Sequence, residues 1–448
     1  MSDQHDTNGK SRLTGRLGRR ELLKLGGVVL TGSAAASILA ACGGGPAAPP
    51  SAAAPAAASK PAASVAASGS AAAAASAAAS KPAAAPAASA QSSVSGQKIV
   101  KAAFVYLGTV NDKGWTNAHD DGRKYLEQQL KGKVETTFAE NVPEGAESQR
   151  VFEDFAQKGN NVIYGTSFGY MDFMLAAAKK YPDVKFEHNT GFKTAPNLST
   201  YGAAQEDARY VAGIISGKMT KSNVLGFIGS FPIPEVIRDM NGWARGVQSV
   251  NPQAKIRMVW INTWFEPPKE TTAANALLDL GADVLASVTD SPAMAQAAAA
   301  KKRFSVGSDS DQTSYAPDNM LICPFWVWGL HYAKSVQSIL DNTWKSNQVF
   351  YHMKDGVSSI TAPNKIVPAD VAKLANDAIA GLKAGTLDIW KGPIKDNKGN
   401  VIVPDGKSIG DMFKGTPAPG ESTADGYVQS EQMNWALDNV IGDVPKSS

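Results

Sequence analysis

The residues of this chain best suited to chemistry are aromatic and acidic side chains that stand in loops directly after predicted strands. Flat rings can cover the faces of a planar ligand, and carboxylates accept hydrogen bonds from amines on its edge. Together these residue types predict a binding site for a small planar molecule, and not an enzyme. The candidate ligand-binding residues are Tyr106, Trp115, Ser167, Phe168, Phe231, Trp264, Asp290, Ser291, Asp309 and Trp326.

Some of these residues have an equally good structural explanation. Trp115 ends the loop GTVNDKGW, where a large ring can anchor the following helix in the core or form a stacking surface for a ligand. Asp290 or Ser291 can serve only to cap the helix predicted to begin near Pro292, because such side chains accept hydrogen bonds from the free N–H groups of a first turn. The sequence leaves these alternatives open.

One loop carries the spacing of a nucleophilic serine. Residues 165–169 read GTSFG, which fits G-x-S-x-G between a predicted strand and a predicted helix. A serine hydrolase would also need a histidine, but neither His331 nor His352 lies in a predicted post-strand loop. We therefore favour a loop whose glycines allow close approach of a ligand and whose Ser167 offers a hydroxyl.

Strands and helices alternate twice along the chain, and this alternation must position the loops. The first set has strands at 99–107, 134–139, 161–164 and 184–188 and helices at 115–130, 149–158, 170–181 and 207–220. The second set has strands at 224–228, 255–260, 283–287 and 304–308 and helices at 235–250, 269–280, 292–302 and 329–343. Such alternation is typical of an α/β fold with parallel sheets wrapped by helices.

The repeated pattern predicts two doubly wound parallel-sheet lobes within one domain at 98–448. Lobe one is predicted over about 98–205 with a return near 325–355, and lobe two over about 206–322 with part of the C-terminal region. Ligands of open α/β sheets bind beyond the carboxyl ends of the strands. We therefore expect the candidate loops to meet in a cleft between the lobes.

The C-terminal region shows weaker patterns. Residues 395–404 (KDNKGNVIVP) predict a hairpin, because an Asn-Lys-Gly turn separates two short β-rich runs. A Gly- and Pro-rich loop at 415–423 and a final helix near 430–440 follow. We expect the extension at 393–448 to cap one of the lobes.

The N-terminal region predicts export and lipid attachment. Residues 16–42 read RLGRRELLKLGGVVLTGSAAASILAAC, typical of a twin-arginine signal at 1–41 that ends in a bacterial lipobox. Cys42 would then carry the lipid, and residues 42–97, rich in Ala, Pro and Ser, would form a tether. An uncleaved anchor is the alternative, although the apolar run is short and rich in glycine. We expect the domain to lie on the extracytoplasmic face of the cell membrane.

Composition excludes several function classes. From position 97 onward the chain has 36 basic and 38 acidic residues, a net charge of −2, so no basic surface is predicted for nucleic acid. Beyond Cys42 only Cys323 remains, which predicts that the chain has no internal disulfide. None of the five histidines has metal-ligand spacing with a cysteine or another histidine, so we expect neither a metal nor another cofactor.

Several segments resemble the basic membrane lipoprotein (BMP) family of ABC transporter substrate-binding proteins, over roughly 99–345. They are NDKGW at 111–115, HDDGRKYLE at 119–127, VLGFIGSFPIPEVIRDMNGWARG at 224–246, WFEPPKE at 264–270, LGADVLASVTDSP at 280–292 and VGSDSDQ at 306–312. The resemblance implies a type I periplasmic-binding fold with two lobes joined by a hinge. It also implies a purine nucleoside or nucleobase in the cleft and delivery to an ABC permease.

Two departures from the family narrow the predicted ligand. Where the nucleoside-binding members carry an acid and a lysine, this chain has Tyr106 and Trp326. An acid and a lysine suit ribose hydroxyls, whereas tyrosine and tryptophan suit a bare ring. The hypothesis is therefore a free purine such as adenine.

In this hypothesis Trp115 covers one face of the purine, and either Trp264 or Phe231 covers the other. Asp290 or Asp309 accepts a hydrogen bond from an exocyclic amine. Ser167, Tyr106 or backbone amides donate hydrogen bonds to ring nitrogens. Another small polar solute such as a sugar, or a ligand sensor without a transporter, remains an alternative.

Overall fold

The structure is a computed structural model that describes residues 99–409 and 433–445 of the 448-residue chain. The predicted export signal, the lipid attachment at Cys42, the tether and the loop at 415–423 lie outside the described residues. Within the described ranges, no helix is both long enough and apolar enough to cross a membrane.

The described residues form short strands and longer helices in alternation. The strands are β1 (Val100–Val105), β2 (Val134–Ala139), β3 (Val162–Gly165), β4 (Lys185–His188), β5 (Leu198–Ala203), β6 (Val224–Gly229), β7 (Lys255–Trp260), β8 (Val284–Val288), β9 (Phe304–Val306), β10 (Met320–Ile322), β11 (Pro324–Trp326), β12 (Gln348–Tyr351), β13 (Ser358–Ile360), β14 (Ile394–Lys395), β15 (Val401–Val403) and β16 (Val440–Ile441). The helices are α1 (Trp115–Gln129), α2 (Ala146–Gln157), α3 (Met171–Lys180), α4 (Gln205–Met219), α5 (Pro234–Val250), α6 (Pro267–Asp279), α7 (Ala293–Ala300), α8 (Gly329–Leu340) and α9 (Ala369–Ala384).

Two six-stranded parallel sheets organise the molecule. The first has the order β12-β5-β4-β3-β1-β2, and the second has the order β10-β9-β8-β6-β7-β16. Helices cover both faces of each sheet, as expected for parallel strands with apolar side chains on both sides. The predicted fold class, two doubly wound parallel-sheet lobes, is confirmed.

Strand alternation assigns side chains to separate cores. In β1, Ala103 and Val105 pack with α2 and α3, whereas Ala102 and Phe104 pack with α1 and α8. In lobe two, α4, α5 and α9 cover one face of the sheet, and α6 and α7 cover the other. Helix α9 was not among the predicted elements, and it completes the larger of the lobe-two cores.

Helices α4 and α5 approach each other unusually closely. A Cβ added at Gly246 would lie 2.0 Å from the carbonyl oxygen of Tyr210, so this contact requires glycine. The close approach also brings acidic and basic side chains of α4 beside those of α5. Arg209 and Asp239 form one such pair, with Nε and Oδ2 3.4 Å apart.

The chain passes between the lobes at three places within the described residues. Strand β5 of the first sheet leads into α4, β10 of the second sheet leads into α8, and β12 leads toward α9. Strands β11 and β13 lie along two of these crossings and pair antiparallel, from Pro324 with Ile360 to Trp326 with Ser358. Trp326 therefore lies on a segment that connects the lobes.

The C-terminal predictions had two outcomes. The predicted hairpin at 395–404 is present, since β14 and β15 pair antiparallel. The predicted final helix near 430–440 is wrong where the structure describes it. Residues 433–439 contain no helix, and Val440–Ile441 forms a strand parallel to β7. Leu437 and Val440 bury their side chains in the lobe-two core, and this edge pairing overrides the local helical pattern.

Candidate functional site

A cavity lies between the lobes at the carboxyl ends of the central strands. Its volume is about 440 Å³, including its open mouth. Residues of lobe one form one side, which we call the lobe-one wall: Leu107, Trp115, Ser167, Phe168 and Thr190. Residues of lobe two form the lobe-two wall: Glu235, Asp239, Trp264, Val288, Asp290 and Asp309. Trp326, from the crossing strand β11, completes the lining.

The loop before α1 holds Trp115 in place. The carboxylate of Asp112 accepts hydrogen bonds from the backbone N–H groups of Gly114, Thr116 and Asn117, at 2.8–2.9 Å. Burial nevertheless raises the pKa of Asp112 to about 6. The indole N–H of Trp115 donates to the carbonyl oxygen of Thr166 at 2.6 Å. Trp115 is thus fixed at the first residue of α1, with its ring at the cavity.

Trp326 and Asp309 form a second fixed element. The indole N–H of Trp326 donates to Oδ1 of Asp309 at 2.8 Å, and its ring stacks on Trp328 at a centroid distance of 4.7 Å. Asp309 adopts a left-handed backbone conformation with φ +63°. Arg209 stabilises this turn by donating to Ser308 Oγ at 2.9 Å and to the carbonyl oxygen of Gly307 at 3.2 Å.

The carboxyl group of Asp290 is buried and unpaired. The residue is 5 % exposed, and its side chain has no hydrogen-bond partner among the described residues. Burial raises its pKa well above the usual value, and the nearby carboxyls of Asp112 and Asp309 raise it further. An unpaired carboxyl group at a cavity is suited to bind a ligand that carries N–H or O–H donors.

Two more carboxyl groups of the lobe-two wall come from α5. Glu235 lies in its first turn and Asp239 lies one turn later, so both face the same side. Burial raises the pKa of Glu235 to about 7 and that of Asp239 to about 6, against the attraction of Arg238 and Arg209. Burial in the closed cavity therefore makes both carboxyl groups easier to protonate than they are in water.

The lobes contact each other around the cavity. The carbonyl oxygen of Lys113 accepts hydrogen bonds from Ser310 Oγ and from Gln312 Nε2, the latter at 3.0 Å. The hydroxyl of Thr190 donates to Oε2 of Glu235 at 2.9 Å. A Cβ added at Gly114 would lie 2.5 Å from the carbonyl oxygen of Asp290. The structure thus has the lobes closed upon each other.

The structure brings seven of the ten predicted site residues to the cavity. They are Trp115, Ser167, Phe168, Trp264, Asp290, Asp309 and Trp326. Phe231 does not line it but supports Trp264 from behind, with ring centroids 5.1 Å apart. Ser291 does not line it either, because its hydroxyl donates to Glu270 and accepts from the backbone N–H of Ala293. Ser291 therefore binds protein groups at the start of α7, where Pro292 is the N-cap.

Tyr106 does not line the cavity, contrary to its predicted place. It is fully buried, and strand alternation turns its ring to the same face as Phe104, where it also packs against Phe138. The next residue, Leu107, reaches the cavity instead. The interpretation of Tyr106 as a ligand contact is corrected.

Five lining residues were not predicted: Leu107, Thr190, Glu235, Asp239 and Val288. The Pro-Glu start of α5 directly after β6 is a signal that could have identified Glu235. Helical spacing from Glu235 could then have identified Asp239. Thr190 has no such signal, because it follows β4 in a loop that leads to another strand and not to a helix.

The GTSFG loop lacks the contacts of a hydrolase. The hydroxyl of Ser167 donates to Oε1 of Glu144 at 2.5 Å. His188 reaches the carbonyl oxygen of Ser167 and not its hydroxyl, through Nε2 at 2.7 Å. A serine nucleophile needs an imidazole beside its hydroxyl. In the described part of the chain, no group of three or more His, Cys, Asp or Glu side chains is arranged to hold a metal ion.

Comparisons with known proteins agree with this architecture. A family described as "ABC transporter substrate-binding protein PnrA-like" matches residues 99–380. A purine-binding protein of Brucella abortus is 44% identical over 70% of this chain and 89% of its own length. A putative ABC transporter glucose-binding protein of Haloferax volcanii is 38% identical over 65% of this chain and 74% of its own. An ABC transporter nucleoside-binding protein of Lactococcus lactis is 27% identical over 42% of this chain and 54% of its own.

Solved structures share the fold at low sequence identity. An ABC transporter solute-binding protein from Conexibacter woesei superposes with a TM-score of 0.54 at 20% identity, over 64% of this chain and 97% of its own. A second ABC transporter solute-binding protein, from Aeropyrum pernix, superposes with a TM-score of 0.55 at 17% identity, over 66% of this chain and 93% of its own. These relatives are solute-binding proteins and not enzymes.

Proposed function

The chain belongs to the PnrA-like family of ABC transporter substrate-binding proteins, and we propose that its solute is a free purine nucleobase, with adenine as the first candidate. One observation carries this proposal. The unpaired carboxyl group of Asp290 faces a cavity that is also lined by the indoles of Trp115, Trp264 and Trp326. Such a site offers flat apolar surfaces and a hydrogen-bond acceptor to the same small molecule.

In this proposal each group of cavity residues makes a different kind of contact with the purine. Trp115 and Trp264 cover the ring faces of the purine, and each base–aromatic contact is worth about 1–3 kcal/mol in proteins that stack bases. Asp290 accepts a hydrogen bond from an N–H group of the ligand. Phe168 and Val288 exclude water from the edges, which strengthens the hydrogen bond.

Trp326 supports a nucleobase over a nucleoside. Its ring is held by the hydrogen bond to Asp309 and by stacking on Trp328, so it is not free to move aside for a ribose. It also occupies one oxygen of Asp309, a group that could otherwise accept from ribose hydroxyls. Because Tyr106 does not line the cavity, it adds nothing to this argument.

The names of two relatives support a purine as the solute and also support one alternative solute. The Brucella relative, at 44% identity, is named as purine-binding. The Haloferax relative, at 38% identity, is named as a putative glucose-binding protein. Tryptophan faces and carboxylates also bind sugars, so glucose is the second candidate solute.

Titration calorimetry with adenine, guanine, hypoxanthine, adenosine and glucose tests the proposal. We expect adenine to bind most tightly, adenosine at least about tenfold more weakly, and glucose without measurable heat. Tighter binding of adenosine than of adenine would refute the choice of a free base. Binding of glucose without binding of any purine would replace the proposed function with the second candidate.

The N-terminal predictions complete the proposal. The protein would be exported by its twin-arginine signal, anchored through a lipid on Cys42 at the outer face of the cell membrane, and tethered by residues 42–97. The lobes would open and close about the crossing segments, and a permease would recognise the closed state.

Replacement of Cys42 tests the anchor. We expect Cys42→Ala to move the exported protein from the membrane fraction to the soluble fraction without changing its affinity for ligand. Retention of the Cys42→Ala protein in membranes would favour an uncleaved apolar anchor instead.

A further inference from the structure

The cavity contains many hydrogen-bond acceptors but few available donors. The indole N–H groups of Trp115 and Trp326 and the hydroxyls of Ser167 and Thr190 already donate to protein oxygens. The indole N–H of Trp264 has no acceptor in the described structure. Four carboxyl groups line the lobe-two wall. A purine also has ring nitrogens that accept hydrogen bonds, and these require donors from the protein.

Glu235 is placed to supply a donor. Its Oε2 accepts the hydrogen bond from Thr190, whereas the Oε1 of this half-buried carboxyl group makes no hydrogen bond to another described residue. Because Thr190 belongs to lobe one and Glu235 to lobe two, closure of the lobes brings Glu235 into this contact. In an open form the same carboxyl group would face solvent.

Closed lobes place Glu235 in acidic surroundings. Asp239 and Arg238 face it from its own helix, Asp290 from the loop after β8, and Asp309 from the loop after β9. Helix α4 contributes Glu206 and Arg209, which lie beside Arg238 and Asp239, respectively. From lobe one, Thr190 is uncharged, and burial lowers the pKa of the nearby His188 to about 4. The acids outnumber the two arginines, so an added proton is favoured here.

We propose that Glu235 binds the purine as a neutral carboxylic acid whose Oε1–H donates to an unprotonated ring nitrogen, so that ligand capture takes up one proton from solvent. This inference rests on the proposed function. It makes Glu235 a specificity-determining residue, although the sequence resemblance does not assign it.

A neutral carboxyl group would also select among purines. It presents one donor and one acceptor, the same pattern as the amide of glutamine, which pairs with the N6–H and N7 edge of adenine. Hypoxanthine and guanine present two acceptors, O6 and N7, at the corresponding edge. An ionised Glu235 would present only acceptors and would repel the ring nitrogen.

The sign of the pH dependence follows from the closed state. The pKa of Glu235 is raised to about 7 when the lobes are closed, whereas in an open cleft it would be near its ordinary value. Affinity is therefore complete only below the ordinary pKa of a glutamate, about 4.3, and falls as the pH rises from there through about 7, by up to about tenfold per pH unit.

Calorimetry of adenine binding at about pH 6 and about pH 8.5, in buffers of different ionisation enthalpy, tests this inference. For the wild-type protein we expect net proton uptake and an affinity at least about tenfold weaker at the higher pH. The Glu235→Gln variant, whose amide also offers a donor, is expected to bind adenine with a smaller change of affinity between the two pH values and with less proton uptake, the remainder coming from Asp239 and Asp290. It should still prefer adenine to hypoxanthine.

Glu147→Gln is a matched control. Glu147 lies in the first turn of α2, as Glu235 lies in the first turn of α5, but it is exposed. The same loss of a charge near a helix N-terminus should leave the wild-type pH dependence in place. The melting temperature of each variant verifies folding.

Three results would overturn the inference. They are a wild-type affinity that does not change with pH, a pH dependence as steep in Glu235→Gln as in the wild type, and loss of adenine binding by Glu235→Gln at both pH values. Purine binding without proton uptake refutes only this inference. Failure of the wild-type protein to bind any purine at either pH refutes the proposed function as well.

Discussion

The two walls of the cavity differ in chemistry. The lobe-one wall has no ionisable side chain, and its polar groups already donate to other protein atoms. The lobe-two wall has four carboxyl groups, and that of Asp290 has no partner in the described structure. Lobe one therefore offers shape, and lobe two offers hydrogen-bonding capacity. Substitutions in the lobe-one wall should therefore weaken the binding of all planar ligands by a similar factor. Substitutions in the lobe-two wall should change which ligand binds most tightly.

The largest effect is expected from Asp290, the unpaired carboxyl group of the lobe-two wall. A buried polar group left without its hydrogen-bond partner costs about 1–3 kcal/mol, so Asp290→Asn, which puts an NH₂ donor in place of one carboxyl oxygen, should weaken adenine binding about five- to a hundredfold. Since burial raises the pKa of Asp290, its ionised form destabilises the fold above the ordinary pKa of aspartate. This destabilisation applies to the closed lobes, so the melting temperature of the variant without ligand, when the lobes open, should stay near that of the wild type.

Asp311→Asn is the control for Asp290→Asn. Asp311 is exposed near the same cleft and accepts a hydrogen bond from the backbone N–H of Thr313. This variant should bind ligand normally and melt slightly lower than the wild type. If Asp290→Asn binds adenine with wild-type affinity, the carboxyl groups of the lobe-two wall do not provide the hydrogen bonds that select the ligand.

Trp115 tests the lobe-one wall. Loss of one base–aromatic contact costs about 1–3 kcal/mol, so Trp115→Ala should weaken binding of adenine and hypoxanthine by the same factor, about five- to a hundredfold. Trp115→Phe keeps a ring and should lose less affinity. Calorimetry with adenine and with hypoxanthine measures the ratio of variant to wild-type dissociation constants for each ligand. An unchanged dissociation constant in Trp115→Ala would make Trp115 only an anchor of α1.

Gly114 tests whether the two walls must meet. An added Cβ would clash with the backbone of Asp290, and overpacking of this kind costs about 1–3 kcal/mol. Gly114→Ala should therefore weaken binding of every ligand by about five- to a hundredfold. The melting temperature without ligand should stay unchanged, because open lobes avoid the clash. A lower melting temperature without ligand would indicate damage within lobe one instead.

Ser167 should give the smallest effect. Its hydroxyl already donates to Glu144, so Ser167→Ala should change ligand affinity less than about twofold. The same variant tests the hydrolase alternative with a chromogenic ester. Turnover by the wild-type protein that disappears in Ser167→Ala would contradict the assignment as a solute-binding protein.

Much of the fold was predictable because strand and helix periods are local properties. Strand β7 occupies Lys255–Trp260, the range predicted for it, and the hairpin of β14 and β15 follows from its turn residues. Strand β16 was not predictable in this way, because it forms only against the edge of β7. Its pairing depends on residues nearly two hundred positions away.

The candidate site was predictable as a set of loops, but not residue by residue. Parallel strands place their following loops at one edge, which is why Trp115, Asp290 and Asp309 meet. The side-chain direction at each position depends on packing, and so Tyr106 turned into the core while Leu107 reached the cavity.

The sequence by itself determined the family, the two doubly wound lobes and the aromatic and acidic character of the cleft, because all three are encoded in local patterns and segment similarity. Only the tertiary structure decided which carboxyl groups are buried together and which lack a partner. The ionisation of Glu235 and Asp290 depends on neighbours from distant parts of the chain and on exclusion of water. Neither condition exists until the lobes fold and close.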